Sequence, residues 1–81
     1  MFHKISNVKP LDNYLLRVSF VDGEVGNYDM KKLIDEDPRF DSLIDFEAFS
    51  EVCVDAGGYG ISWNDDLDLS AEELWDNSVK L

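Results

Sequence analysis

The densest group of side chains able to do chemistry in this 81-residue chain is Asn64-Asp65-Asp66-Leu67-Asp68. Hard cations such as calcium gather carboxylate and amide oxygens, and the alternate positions Asn64, Asp66 and Asp68 match the opening of an EF-hand loop. The rest of that loop is missing. Its sixth position falls on Leu69, where the sharp turn needs Gly, and its twelfth on Trp75, where the ion needs a bidentate Glu. An EF-hand is therefore excluded, and the segment reads as a weak cation cluster at most. Its simpler reading is a solvated turn in which Asp68 and Ser70 order the entry to a following helix.

Nucleophilic catalysis needs a base within reach of the nucleophile and a group to orient it. His3 is the single histidine and Cys53 the single cysteine. Cys53 lies in an alternating run, where a free thiol is ordinarily a small core residue, and His3, near the N-terminus, reads as exposed and idle. Together they are too few to close a zinc site, and one cysteine makes no internal disulfide, which suits a reducing cytoplasm. Gly57-Gly58-Tyr59-Gly60 follows a strand, but a dinucleotide fingerprint opens a helix and a P-loop ends in Gly-Lys-Ser/Thr. Here Ile61-Ser62-Trp63 continues as a strand, so the glycines belong to a hairpin and its bulge. With no catalytic constellation, the expectation is no enzyme, no cofactor and no metal.

The elements that position these groups follow from periodicity. Tyr14, Leu16, Val18 and Phe20 are apolar at every second residue, the signature of a half-buried strand. Asp22-Gly23 predicts a two-residue hairpin with positive φ at both residues, and Glu24–Tyr28 then returns antiparallel. Phe2–Val8 reads as an earlier strand, ended by Pro10-Leu11-Asp12-Asn13. Asp29 caps a short helix through Ile34 that Pro38 forbids from continuing. Leu43, Phe46 and Phe49, three apart, mark a second helical stretch capped by Asp45. Val52–Asp55 and Tyr59–Trp63 form a second hairpin, with Tyr59, Ile61 and Trp63 on one face. Ser70-Ala71-Glu72-Glu73 is a capping box, with Ser70 accepting from the Glu73 amide while Glu73 reaches back. The expected fold is a small α+β single domain over residues 1–81. It has an antiparallel or mixed sheet of about five strands, a meander plus the later hairpin, and two or three short helices on one face.

Charge is the unusual global feature. The net formal charge is -11, and it is uneven: residues 1–40 hold seven acids against six bases, residues 41–81 eleven acids against Lys80 alone. Such a field repels a phosphate backbone and attracts basic partners, so direct nucleic-acid binding is not expected. The plainer reading is that acidity keeps a small domain in solution. No apolar leader or membrane-spanning run is expected, which places the protein in the cytoplasm.

Taken in order, Val8-x-Pro10-Leu11, Tyr14-x-Leu16-x-Val18-x-Phe20-x-Asp22-Gly23-Glu24, Tyr28-Asp29, Phe40-x-x-Leu43-x-Asp45, Phe49, Val52 and Trp63-x-x-x-x-Asp68-Leu69-Ser70 resemble the small bacterial family called domain of unknown function 2442. The likeness spans nearly the whole chain; Asp66 stands where the family often has Gly. It implies an α+β fold and an antitoxin-like member of a toxin-antitoxin pair, encoded beside another small domain of unknown function; the acidic second half suits a partner that is a small basic protein, the product of that neighbouring gene. Some members of that family carry a C-terminal helix-turn-helix domain, and no such reader of DNA is expected here after the last short helix.

Three readings follow: an acidic protein-binding module; a metal protein or enzyme using Asp65, Asp66 and Asp68; and a regulatory domain holding a small ligand between sheet and helices. The first is preferred. Its partner surface is expected from Asp65, Asp66, Asp68, Glu72, Glu73, Trp75 and Asp76, with Glu72 and Asp76 pointing outward and Leu74 facing the sheet. Trp63 is assigned to the core, and Trp75 either to an interface or to packing of the last helix. The oligomeric state is left open, a homodimer included.

Overall fold

In the computed structural model, which describes residues 3–81, the alternating run forms the strand β2 (Leu15–Phe20) and buries Leu16, Val18 and Phe20 together. On one side β2 pairs antiparallel with β1 (Ile5–Leu11), and on the other with β3 (Val25–Asp29), which gives the expected meander. The first strand starts later and runs further than its sequence suggests, and Phe2 lies outside the described residues. Pro10 sits inside β1 opposite Leu16. β1 is an edge strand, where a residue without an N–H is tolerated.

Tyr14 does not begin β2. A short 3-10 turn, Asp12–Tyr14, intervenes, with Asn13 (φ 63°) and Tyr14 (φ 59°) both left-handed. That conformation is costly for a residue with a Cβ, and tertiary contacts hold it. The Tyr14 hydroxyl donates to the Ile44 carbonyl, and its ring lies edge-on to Phe49 with centroids 5.3 Å apart.

The β2–β3 turn also differs from the two-residue hairpin expected. Phe20 N–H donates to Glu24 O (2.8 Å) and Gly23 N–H to Phe20 O (3.0 Å), and only Gly23 is left-handed (φ 97°). This is a three-residue loop closed by a glycine bulge, the next commonest way to join two strands.

After β3 the chain becomes helical, in pieces set by aspartates. Asp29 accepts from Lys31 N–H to start α1 (Met30–Glu36), Asp37 from Arg39 N–H to start a 3-10 stretch (Pro38–Ile44), and Asp45 from Glu47 N–H to start α2 (Phe46–Phe49). Pro38 explains why α1 stops: the residue before a proline is pushed out of the helical region, and Asp37 is extended at φ -116°, ψ 111°.

The second half holds more strand than its sequence suggests. β4 (Cys53–Val54) pairs with β5 (Gly60–Asn64) across a 3-10 turn (Ala56–Gly58), as the second hairpin requires. β5 then turns at Asp65-Asp66 into β6 (Leu67–Ser70), which leads into α3 (Ala71–Asn77) and β7 (Val79–Lys80). β7 returns to pair with β3. The single sheet of about five strands is therefore corrected to two antiparallel sheets, ordered β1-β2-β3-β7 and β4-β5-β6. The α+β class stands.

The two sheets meet through backbone. Gly58 is left-handed (φ 79°), and a Cβ there would lie 2.6 Å from the Ile5 carbonyl oxygen, so a side chain is excluded by conformation and by space. Trp63, buried as expected, links β5 to α2 by donating its indole N–H to the Phe49 carbonyl at 3.0 Å. Two assignments on these strands are corrected. Tyr59 is 53 % exposed, because the turn ends on it and only Ile61 and Trp63 share the inward face. Cys53 is exposed, because β4 is an edge of only two residues with its inward position elsewhere. Among the described residues, no helix is long and apolar enough to cross a membrane.

Candidate functional site

Asp65 and Asp66 form the tip of the β5–β6 hairpin. Asn64 makes the turn, its side-chain oxygen accepting from Asp66 N–H (2.8 Å) and Leu67 N–H (3.1 Å). This fixes Asn64 as a turn former, and both aspartates are exposed. Asp68 faces outward from β6, where its charge adds to the stronger pull of the Asp37 hydrogen bonds that raise the Arg39 guanidinium pKa. The reverse effect holds the Asp37 carboxyl below the usual carboxylate range, chiefly through hydrogen bonds from Arg39. Among the described residues, no three His, Cys, Asp or Glu side chains stand together as metal ligands.

On α3, Leu74 is fully buried while Glu72 and Asp76 are exposed. Glu72 has structural work as well, since its carboxylate accepts the His3 backbone N–H at 3.1 Å. His3 is not idle: its ring stacks on Trp75, centroids 3.7 Å apart and 3° from parallel. Trp75 also meets Phe20 edge-on (4.9 Å) and has the Lys80 ammonium 4.3 Å from its ring. Half-buried among these, Trp75 packs the last helix against the first sheet. Lys80, the only base after residue 40, also donates to the Trp75 carbonyl.

Glu73 departs from the capping box. Ser70 Oγ does accept from Glu73 N–H (3.2 Å), but the Glu73 carboxylate does not return to the cap. It accepts instead from the Tyr28 hydroxyl at 2.9 Å, from a strand 45 residues away. Tyr28 is 6 % exposed. Burial, and then the hydrogen bond to a carboxylate that needs its proton, push its phenol far above the ordinary range.

That pair forms one wall of a groove between sheet and helices, the kind of space the small-ligand reading of the sequence expects, although of its lining residues the sequence singles out only Glu73 as a site residue. A cavity of about 290 Å³ opens between α1, the end of β3 and α3, lined by Tyr28, Asp29, Lys32, Leu33, Glu36, Glu73 and Asn77. Nothing local in the sequence sets α1 opposite α3. The usable signal is Glu73, which the capping motif places in the first turn of α3, but nothing in the sequence pairs it with the Tyr28 hydroxyl that donates to it.

A family model described as "Protein of unknown function (DUF2442)" matches residues 5–80. No curated protein matches, and no solved structure matches.

Proposed function

We propose, from the premise that this chain belongs to the DUF2442 family, whose function is unknown, that it is a non-enzymatic acidic module that binds a small basic protein. The partner we have in mind is the product of a neighbouring gene, with this chain in the antitoxin-like role and both in the cytoplasm. One observation carries the reading. Asp65, Asp66 and Asp76 are exposed and, among the described residues, make no ion pair, while the single base of the second half is turned onto Trp75. The two ion pairs among the described residues, Lys31–Asp35 and Arg39–Asp37, lie in the first half. An acidic surface left without internal counter-charge steers a basic partner and sets its arrival rate more than its final affinity.

The proposed partner surface draws on Asp65 and Asp66 at the tip of the β5–β6 hairpin, Asp68 on β6, and Glu72 and Asp76 on α3, which starts from the opposite end of that hairpin, while Trp75 and Glu73 are half-buried in packing contacts. The test is a salt series of association rates with the copurifying or neighbouring-gene protein. Reversing Asp65 and Asp76 to Lys should slow association and flatten its salt dependence without changing the melt, since both side chains are exposed. A rate indifferent to salt, with the reversed protein binding as fast as the parent, leaves the acidity as a solubility feature.

A further inference from the structure

We propose that the outer face of the four-stranded sheet is a docking surface for an acidic amphipathic helix of another protein. The sheet is covered on one side only. Leu16, Val18 and Phe20 of β2 are buried against the core, the residues between them point the other way, and Arg17 of this central strand is exposed. Register carries the outward set across the sheet: Lys9 of β1 lies opposite Arg17, Arg17 opposite Asn27 of β3, and Asn27 opposite Val79 of β7. Like charges directly opposite each other on neighbouring strands destabilise a sheet. The chain does little to offset this. Neither base takes part in an ion pair among the described residues, and Arg17 Nε donates to a neutral acceptor, the Asn27 side-chain oxygen at 3.3 Å. The one acid at an outward position of these strands, Asp29, stands opposite Leu15 and caps α1 through Lys31 N–H. A chain with 18 acids thus sets two of its 7 bases side by side without a counter-charge, a local conflict of the kind that marks a functional surface.

The surroundings of the bases define the occupant. Val25 on β3 is half-buried and Val79 on β7 exposed, so the β3–β7 half of the face is apolar where the β1–β2 half is basic. A helix is about 10 Å across, the width of two strands. Laid along the seam between β2 and β3, it sets carboxylates on one flank over Lys9 and Arg17 and an apolar stripe over Val25 and Val79. The terminal nitrogens of Arg17 make no hydrogen bond among the described residues, which leaves them open to the bidentate pairing that carboxylates favour. A nucleic acid fits less well, because two cations displace few counterions and the eleven acids of residues 41–81 repel a phosphate backbone.

The probe is a synthetic helical peptide of about four turns with leucines at helical spacing and glutamates along one flank, and its control carries glutamine in place of every glutamate. Binding is followed by amide shifts at Arg17 and Asn27 in a nuclear magnetic resonance titration of the whole chain. The glutamate peptide should saturate these shifts, and the glutamine peptide should bind about tenfold more weakly or not at all. Arg17→Gln should weaken the glutamate peptide by a similar factor. Lys9→Gln should weaken it too while melting no lower than the parent, since the substitution removes a repulsion; the Lys9 variant serves alone if the Arg17 variant does not fold. The proposal is overturned by shifts that stay linear, by equal binding of the two peptides, or by a Lys9→Gln protein that melts lower and binds as before. A short DNA duplex that moves the same amides at lower concentration than the peptide also overturns it. The variant with Asp65 and Asp76 reversed to Lys should bind the glutamate peptide no more weakly than the parent, so this face and the acidic surface stand or fall separately.

Discussion

Trp63 is the residue whose loss the fold should feel most. Its ring is 8 % exposed, it lies edge-on to Phe40 with centroids 6.3 Å apart, and its N–H caps the last carbonyl of α2. Trp63→Ala removes the ring and leaves a cavity, costing about 3 to 5 kcal/mol. For a domain this size each kcal/mol moves the melting midpoint by about 4 to 8 °C, so the midpoint should fall by at least about 12 °C. Trp63→Phe separates the hydrogen bond from the packing. It keeps most of the apolar contact but leaves the Phe49 carbonyl without the donor it has in the parent, a loss of about 1 to 3 kcal/mol. Circular dichroism at the helical band is the appropriate probe, because indole fluorescence changes with the substitution itself. The expected order is parent, then Phe, then Ala, with two clear gaps. A Phe variant melting with the parent would refute the capping role, and an Ala variant within about 4 °C of the parent would refute the core assignment.

Two further outcomes are expected. Because the Tyr28 phenol is raised in the folded state, its proton stabilises the fold fully below the ordinary phenol pKa of about 10, and that contribution is lost as pH climbs from there toward the raised value. The gap in urea midpoint between parent and Tyr28→Phe should thus be constant at neutral pH and narrow above about pH 10; a gap unchanged in that alkaline range contradicts the pairing with Glu73. Gly58→Ala should destabilise by more than the roughly 1 to 2 kcal/mol of a left-handed alanine, since β1 must also move from its 2.6 Å contact, and a loss below about 1 kcal/mol in a urea titration would show that the sheets are not joined there.

Local signals in the sequence were read well where the structure obeys local rules. The β2 alternation, the aspartate caps at Asp29 and Asp45, the stop at Pro38 and the serine cap of α3 each depend on residues a few positions apart. What escaped depends on distant partners. β7 is two residues long with Val79 72 % exposed, and it is a strand only because β3 offers an edge. Leu67-Asp68-Leu69 has too short an alternation to announce β6. Glu73 obeys its motif through the backbone and breaks it through the side chain, because a buried hydroxyl competes better for its carboxylate than the cap does. The same limit governed the candidate site. The acids were visible as a composition, but the removal of Glu73 and Trp75 from the open surface, and the groove they help to build, required the packing of α3 on the first sheet.

The pairing of β3 with β7 also orders events during synthesis. Gly26 and Asn27 are paired with Lys80 and Val79, so the β3 edge stays open on a growing chain until residues 79 and 80 have emerged. The meander can assemble early from near neighbours, whereas its last edge waits for a contact across more than fifty residues, the slow and exposed kind of pairing. Gly26 approaches the last turn so closely that a Cβ would lie 2.9 Å from that of Ser78. Until that closure β3 presents a bare strand edge, the kind of unpaired backbone that invites pairing with another chain.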